Sequence, residues 1–94
     1  MFAYMYILKC ANDKFYTGST KFLDRRIKEH QTGLGARFTK KHLPFELVYV
    51  EEFDRIEDAF KREKQIQGWT YRKKKALVEG RYDDLKKIGK KKFE

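Results

Sequence analysis

The first nineteen residues constrain the fold more than any other stretch. Residues 3–10, AYMYILKC, alternate among aromatic and branched residues, the period-two pattern of a strand. ANDK follows, and its Asn12 and Asp13 supply turn chemistry. FYTGS then resumes the extended pattern, so residues 3–19 read as a β-hairpin. Tyr4 and Tyr6 share one face by period two. Tyr16 joins that face if the paired residue numbers sum to an even value, and a slip of one residue separates it. Gly18 has no side chain, so it leaves open space or lets another group approach the backbone.

Beyond the hairpin the pattern changes. Thr20 is placed to cap a helix over about Lys21 to Thr32, with Gly33 as its terminator. GLGARFTKKHLP is punctuated by glycine and has room for a short helix before Pro44. ELVYVEEF is the clearest strand of the chain. Asp54 is placed to cap a helix over about Arg55 to Gln67, closed by Gly68, and Thr70 to cap another through Val78. RYDDLKKIGKKKFE reads as a helical turn that frays. The order β-β-α-α-β-α-α predicts an α+β fold, a small three-stranded antiparallel sheet flanked by helices. Residues 1–80 form the expected single domain and 81–94 a basic C-terminal tail.

Charge narrows the partners. The chain of 94 residues holds 23 Lys plus Arg against 14 Asp plus Glu, a net charge of +9. That excess favours a polyanion, nucleic acid before an anionic membrane surface. No apolar run is long enough to span a membrane, and MFAYMYILKC reads as a strand rather than a leader. Cys10 is the only cysteine, so it has no disulfide partner within the chain. A cytoplasmic setting is the expectation.

Several polar residues crowd the apolar stripes. In the first helix Leu23 and Ile27 lie one turn apart, and Arg26 and His30 form a second one-turn pair beside them. A helix that only packed would hold Arg and His opposite its apolar stripe. Arg25 and Glu29 make a further one-turn pair, read as a solvent-facing ion pair of little weight. After Asp54, Ile56, Ala59, Phe60 and Ile66 form the apolar stripe, and Glu63 falls inside it. An inward carboxylate is costly unless paired or bound to a cation. It serves either a structural ion pair with Arg26 or a metal beside an anion-binding arginine; helix geometry alone favours the ion pair.

These residues fit a known pattern. The chain resembles the GIY-YIG nuclease domain over about residues 3–80, especially the small stand-alone bacterial members. YMY (Tyr4, Met5, Tyr6) stands for the first motif and YTG (Tyr16, Thr17, Gly18) for the second. FLDRRIKEH matches the family helix that carries the catalytic arginine, and EDAFKREKQIQGW matches the helix with the carboxylate. Position by position, the resemblance implies catalytic roles for Tyr6, Tyr16, Arg26, His30 and Glu63, with Tyr4 and Gly18 as motif positions. The first motif lacks its Gly and Ile, and Ser19 stands where some of these nucleases carry a basic residue.

The resemblance implies a metal-dependent endonuclease that hydrolyses DNA phosphodiester bonds. Glu63 would hold one divalent cation, Mg²⁺ by preference and Mn²⁺ as an alternative. Arg26 would stabilise charge on the phosphate oxygens, and Tyr6 or Tyr16 would help activate water. Nearby cations are expected to lower a tyrosine pKa towards that task. His30 is a candidate proton relay. Lys40, Lys41, Arg72, Lys73 and Lys74 are candidate contacts to the nucleic-acid backbone. Trp69 and Tyr71 could stack on an unpaired base, with a core plug the favoured role for Trp69. The competing reading is a nucleic-acid-binding module of the same fold with weak or lost catalysis.

Overall fold

A computed structural model describes residues 2–32 and 45–81. Its elements are β1 (Ala3–Cys10), β2 (Phe15–Thr20), α1 (Leu23–Gln31), β3 (Phe45–Phe53), α2 (Ile56–Gln67) and α3 (Tyr71–Val78). The fold is α+β, in the order β-β-α-β-α-α, with one antiparallel sheet of order β2-β1-β3. The short helix expected between Gly33 and Pro44, and the turn expected in the tail, lie outside the described residues.

The hairpin closes as its turn residues dictate. The Cys10 carbonyl accepts from the Asp13 amide at 2.9 Å, and Asp13 adopts the left-handed conformation, φ 63°. Asp and Asn tolerate that region better than most residues. The register pairs Tyr4 with Thr20, Tyr6 with Gly18 and Leu8 with Tyr16. Paired numbers therefore sum to an even value, and Tyr4, Tyr6 and Tyr16 share a face.

β1 is the central strand, and its two faces serve different neighbours. Met5 and Ile7 join Ile66 of α2 and Leu77 of α3 in the core, with Val48, Tyr49, Phe53 and Trp69 packed against them. Tyr6 and Leu8 point the other way and are equally buried. Opposite the Ile7–Leu8 step β3 carries a bulge: Ile7 faces Tyr49 but Leu8 faces Leu47. The extra residue turns the start of β3, so Phe45 pairs with Cys10 on the tyrosine face.

Two helix starts differ from expectation. Thr20 still belongs to β2, and its Oγ1 accepts from the Phe22 amide at 3.0 Å. Phe22 occupies the N-cap of α1 without a side-chain cap. Asp54 likewise comes too early: β3 ends at Phe53, and the N-cap of α2 is Arg55, whose backbone is extended. Glu57 and Asp58 complement the helix dipole there instead. Thr70 does cap α3, accepting from the Lys73 amide at 3.2 Å.

Trp69 plugs the junction between α2 and α3. The Arg62 guanidinium sits 5.2 Å from its ring centroid and the Lys73 ammonium 4.1 Å. Arg62 also donates to both oxygens of Glu51, at 2.9 and 3.1 Å, and Tyr49 donates to the same carboxylate at 2.6 Å. This two-pronged pairing clamps α2 to β3.

Candidate functional site

Tyr6 is the centre of the tyrosine face. Its hydroxyl lies 2.9 Å from Nε2 of His30, which α1 lays against the sheet at 1% exposure. The His30 tautomer decides which of the two donates. Tyr16 closes the group, with ring centroids 6.5 Å from Tyr6 and 5.3 Å from His30. Phe45, delivered by the bulge, meets His30 edge-on at 5.7 Å. Gly18 lies directly opposite Tyr6: a Cβ there would stand 2.5 Å from the hydroxyl oxygen.

The electrostatics favour neutral groups. Burial pushes the Tyr6 phenol far above its ordinary value; Tyr16 and Glu63 add to the rise, and Arg26 only partly opposes it. Tyr16 is raised as well, by burial and then by Glu63, again against Arg26. The expectation that cations lower a tyrosine pKa is thus reversed by the residues of the chain itself, because desolvation outweighs Arg26. His30 is lowered by burial and then by Arg26, with Glu29 in partial opposition. At neutral pH the site holds two phenols and a neutral imidazole.

Arg26 lies beside this group, on the same helix as His30. Its ion pair is with Glu29, at 3.5 Å, and not with Glu63. Two expected pairings therefore change. Glu29 takes Arg26 three residues before it rather than Arg25 four before it, and Arg25 lies over the Phe22 ring at 5.1 Å.

Glu63 reaches the site from α2. Ser19 donates to its Oε1 at 2.5 Å, and Gln67 donates to its Oε2 at 2.7 Å. Lys64 stands 3.8 Å from Oε2. These neighbours orient the carboxylate that sequence patterning finds on the inward stripe. Among the described residues no three His, Cys, Asp or Glu side chains gather as a metal cluster. One fixed carboxylate fits a hard cation that keeps its waters and takes substrate oxygens, and does not fit a tightly caged structural ion. Each Glu63 oxygen has one donor of its own from Ser19 or Gln67 and retains lone-pair capacity for a cation.

The remaining candidates scatter. Tyr4 lines a groove of about 450 Å³ with Lys21, Phe22, Leu23, Asp24 and Arg25, next to the tyrosine group. Arg72 is exposed and Lys74 half-buried, with its pKa lowered by desolvation. Lys73 is only 4% exposed and turns onto Trp69, which withdraws it from any backbone-tracking role. Its place was visible in the spacing: Ala76 and Leu77, both buried, follow it by three and four residues. Lys40 and Lys41 lie outside the described residues. Ser19, noted in the sequence only as replacing a basic residue, holds Glu63 together with Gln67, which the sequence reading passes over although it lies one helical turn beyond Glu63.

Comparison with known proteins places the chain as a whole. Residues 2–76 match the model of the GIY-YIG catalytic domain. A UPF0213 protein of Natronomonas pharaonis is 43% identical over 75 residues, covering 80% of this chain and 88% of that one. A UPF0213 protein of Staphylococcus saprophyticus is also 43% identical over 75 residues, covering 80% and 92%. The solution structure of a UPF0213 protein from Bacillus halodurans superposes with a TM-score of 0.55 at 42% identity, covering 84% of each chain. With a family match spanning most of the sequence and relatives this similar along nearly their whole length, the chain belongs to the GIY-YIG catalytic-domain family.

Proposed function

We propose that this protein is a metal-dependent endonuclease that hydrolyses DNA phosphodiester bonds, with residues 1–80 as the catalytic unit and 81–94 as a basic tail. The observation that carries this reading is the hydrogen-bonded Tyr6–His30 pair, set beside Tyr16 and flanked by Arg26. Membership of a catalytic-domain family and the net charge of +9 point the same way. No described helix is long and apolar enough to cross a membrane.

Each side chain has a task in this scheme. Arg26 donates to the nonbridging oxygens as charge builds on the phosphate, a role its planar fork suits. Tyr6 is too basic as a phenolate to be ionised in advance, so it works as a conduit. It takes a proton from the attacking water while passing its own to Nε2 of neutral His30. Burial and Arg26 keep that imidazole unprotonated and ready to accept. Tyr16 packs on both rings and fixes the geometry. Glu63 would hold the cation, Mg²⁺ or Mn²⁺, which when bound supplies Lewis-acid charge at a phosphate oxygen.

The test is cleavage of supercoiled, single-stranded and branched DNA with Mg²⁺ or Mn²⁺, by wild type, Arg26→Ala and Glu63→Gln. The scheme expects cutting by wild type and a loss of about 10²-fold or more in each variant. Cutting that survives in both variants removes this site from the reaction. A wild type that binds DNA and never cuts it supports the alternative, a binding module of the same fold.

A further inference from the structure

A second feature lies outside the tyrosine group. The rings of Phe15 and Tyr71 stack with centroids 5.1 Å apart and planes 17° from parallel. Phe15 is packed against the core and holds the pair in place. Tyr71 remains 49% exposed. A ring kept half in water is poorly used as packing, but its face is what an unpaired base stacks on.

The charges around it are arranged against the helix they sit on. The N-terminal end of a helix favours carboxylates, yet the first turn of α3 has none. Arg72, Lys73 and Lys74 follow Tyr71 directly. Lys73 turns inward onto Trp69, while Arg72 is exposed, and Lys14 is exposed next to Phe15. Cations at the positive end of a dipole repel it, and a polyanion laid across them relieves the repulsion.

The pair lies on the core side of the sheet, opposite the tyrosine face, and connects to the candidate site through Glu63. β2 is an edge strand, and alternate residues of it meet successive turns of the helical layer. Ser19 holds Glu63, the Thr17 carbonyl accepts from Gln67 at 3.3 Å, and Phe15 stacks on Tyr71. Four residues of strand, about 13 Å, separate Ser19 from Phe15.

We propose that Phe15 and Tyr71, flanked by Lys14 and Arg72, form a stacking ledge for an unpaired base beside the bond to be cut. The substrate class is then DNA with a single-stranded segment bordering the cleavage point, because in continuous duplex the base faces are already covered. The inference rests on the nuclease reading for what is cut, but not for what is bound.

Binding is measured by fluorescence anisotropy without divalent metal, using a fluorescein-labelled oligothymidylate and a blunt-ended duplex of two annealed strands. Tyr71→Ala weakens oligothymidylate binding by about 5- to 100-fold, and its effect on the duplex stays within about twofold. Tyr71→Phe keeps wild-type affinity. Tyr71→Leu preserves apolar cover over Phe15, loses affinity like alanine, and serves if the alanine variant does not fold. Undiminished oligothymidylate binding by both Tyr71→Ala and Tyr71→Leu overturns the ledge. So does equal loss on duplex and single strand, or a wild type that binds neither probe. A wild type that binds through Tyr71 and cuts nothing keeps the ledge and overturns the nuclease reading instead.

Discussion

Gly18 and Tyr6 are matched across the hairpin, and the bare backbone of one makes room for the hydroxyl of the other. A Cβ on Gly18 would come 2.5 Å from the Tyr6 oxygen and 2.6 Å from the ring carbon that bears it. The second motif's glycine is therefore a steric demand of the first motif's tyrosine.

Gly18→Ala is expected to push the Tyr6 ring out of line with His30. Such overpacking costs about 1–3 kcal/mol. Urea denaturation should show that loss, and cleavage should fall further than the loss of folded protein explains. A variant with wild-type stability and full cleavage would show that the ring can move aside without consequence.

His30 makes stability depend on pH. Its folded pKa lies below the ordinary 6.5, because burial and Arg26 disfavour the imidazolium. Its contribution is complete above the unfolded pKa. Below that value the unfolded chain binds a proton that the folded one resists, so stability falls as pH drops towards the folded pKa. Urea midpoints for wild type and His30→Gln, taken from neutral pH down to about pH 5, should converge as the solution is acidified. Parallel curves would remove His30 as the source.

Two arginines should separate stability from chemistry. Arg62 is paired with Glu51 and packed on Trp69, far from the tyrosine group in role, whereas Arg26 flanks Tyr6. Arg62→Ala leaves the half-buried Glu51 without its forked partner and should cost about 1–3 kcal/mol. Cleavage per folded molecule should remain at the wild-type level. Arg26→Ala should give the converse: near-normal thermal melting with cleavage lost.

Ser19 and Gln67 set the direction of the Glu63 carboxylate. Ser19→Ala removes the donor to Oε1 and should raise the Mg²⁺ or Mn²⁺ concentration needed for half-maximal cleavage by about 10-fold, as outer-shell changes do. Titrating metal against cleavage reads this directly. An unchanged midpoint with a lower plateau would mean that Ser19 acts on substrate rather than on the carboxylate.

Much of this arrangement was legible in the chain. Strand periodicity gave the hairpin and β3, and misplaced polarity gave Arg26, His30 and Glu63. Register was not legible, because AYMYILKC is apolar at most positions and both parities bury a hydrophobe. The left-handed turn at Asp13 and the opposition of Gly18 to Tyr6 settle it. Caps misled at Thr20, where the strand runs on through the hydroxyl, and at Asp54, which stands one residue before the N-cap. The partner of Glu63 was also hidden: Ser19 is 44 residues away and belongs to the motif strand. In YRKKK one lysine looks like another until the apolar spacing of Ala76 and Leu77 is read back to Lys73.

β1 has consequences for how such a chain tolerates change over generations. Met5, Tyr6, Ile7 and Leu8 are each at most 1% exposed, on alternating faces. Neighbouring codons thus answer to separate masters, one to the core and the next to the tyrosine group. A substitution that is harmless to packing but shifts the strand by a fraction of an ångström is inherited by both. Drift should accumulate in β3, where Glu46, Leu47, Val50 and Glu52 are exposed, and stall in β1.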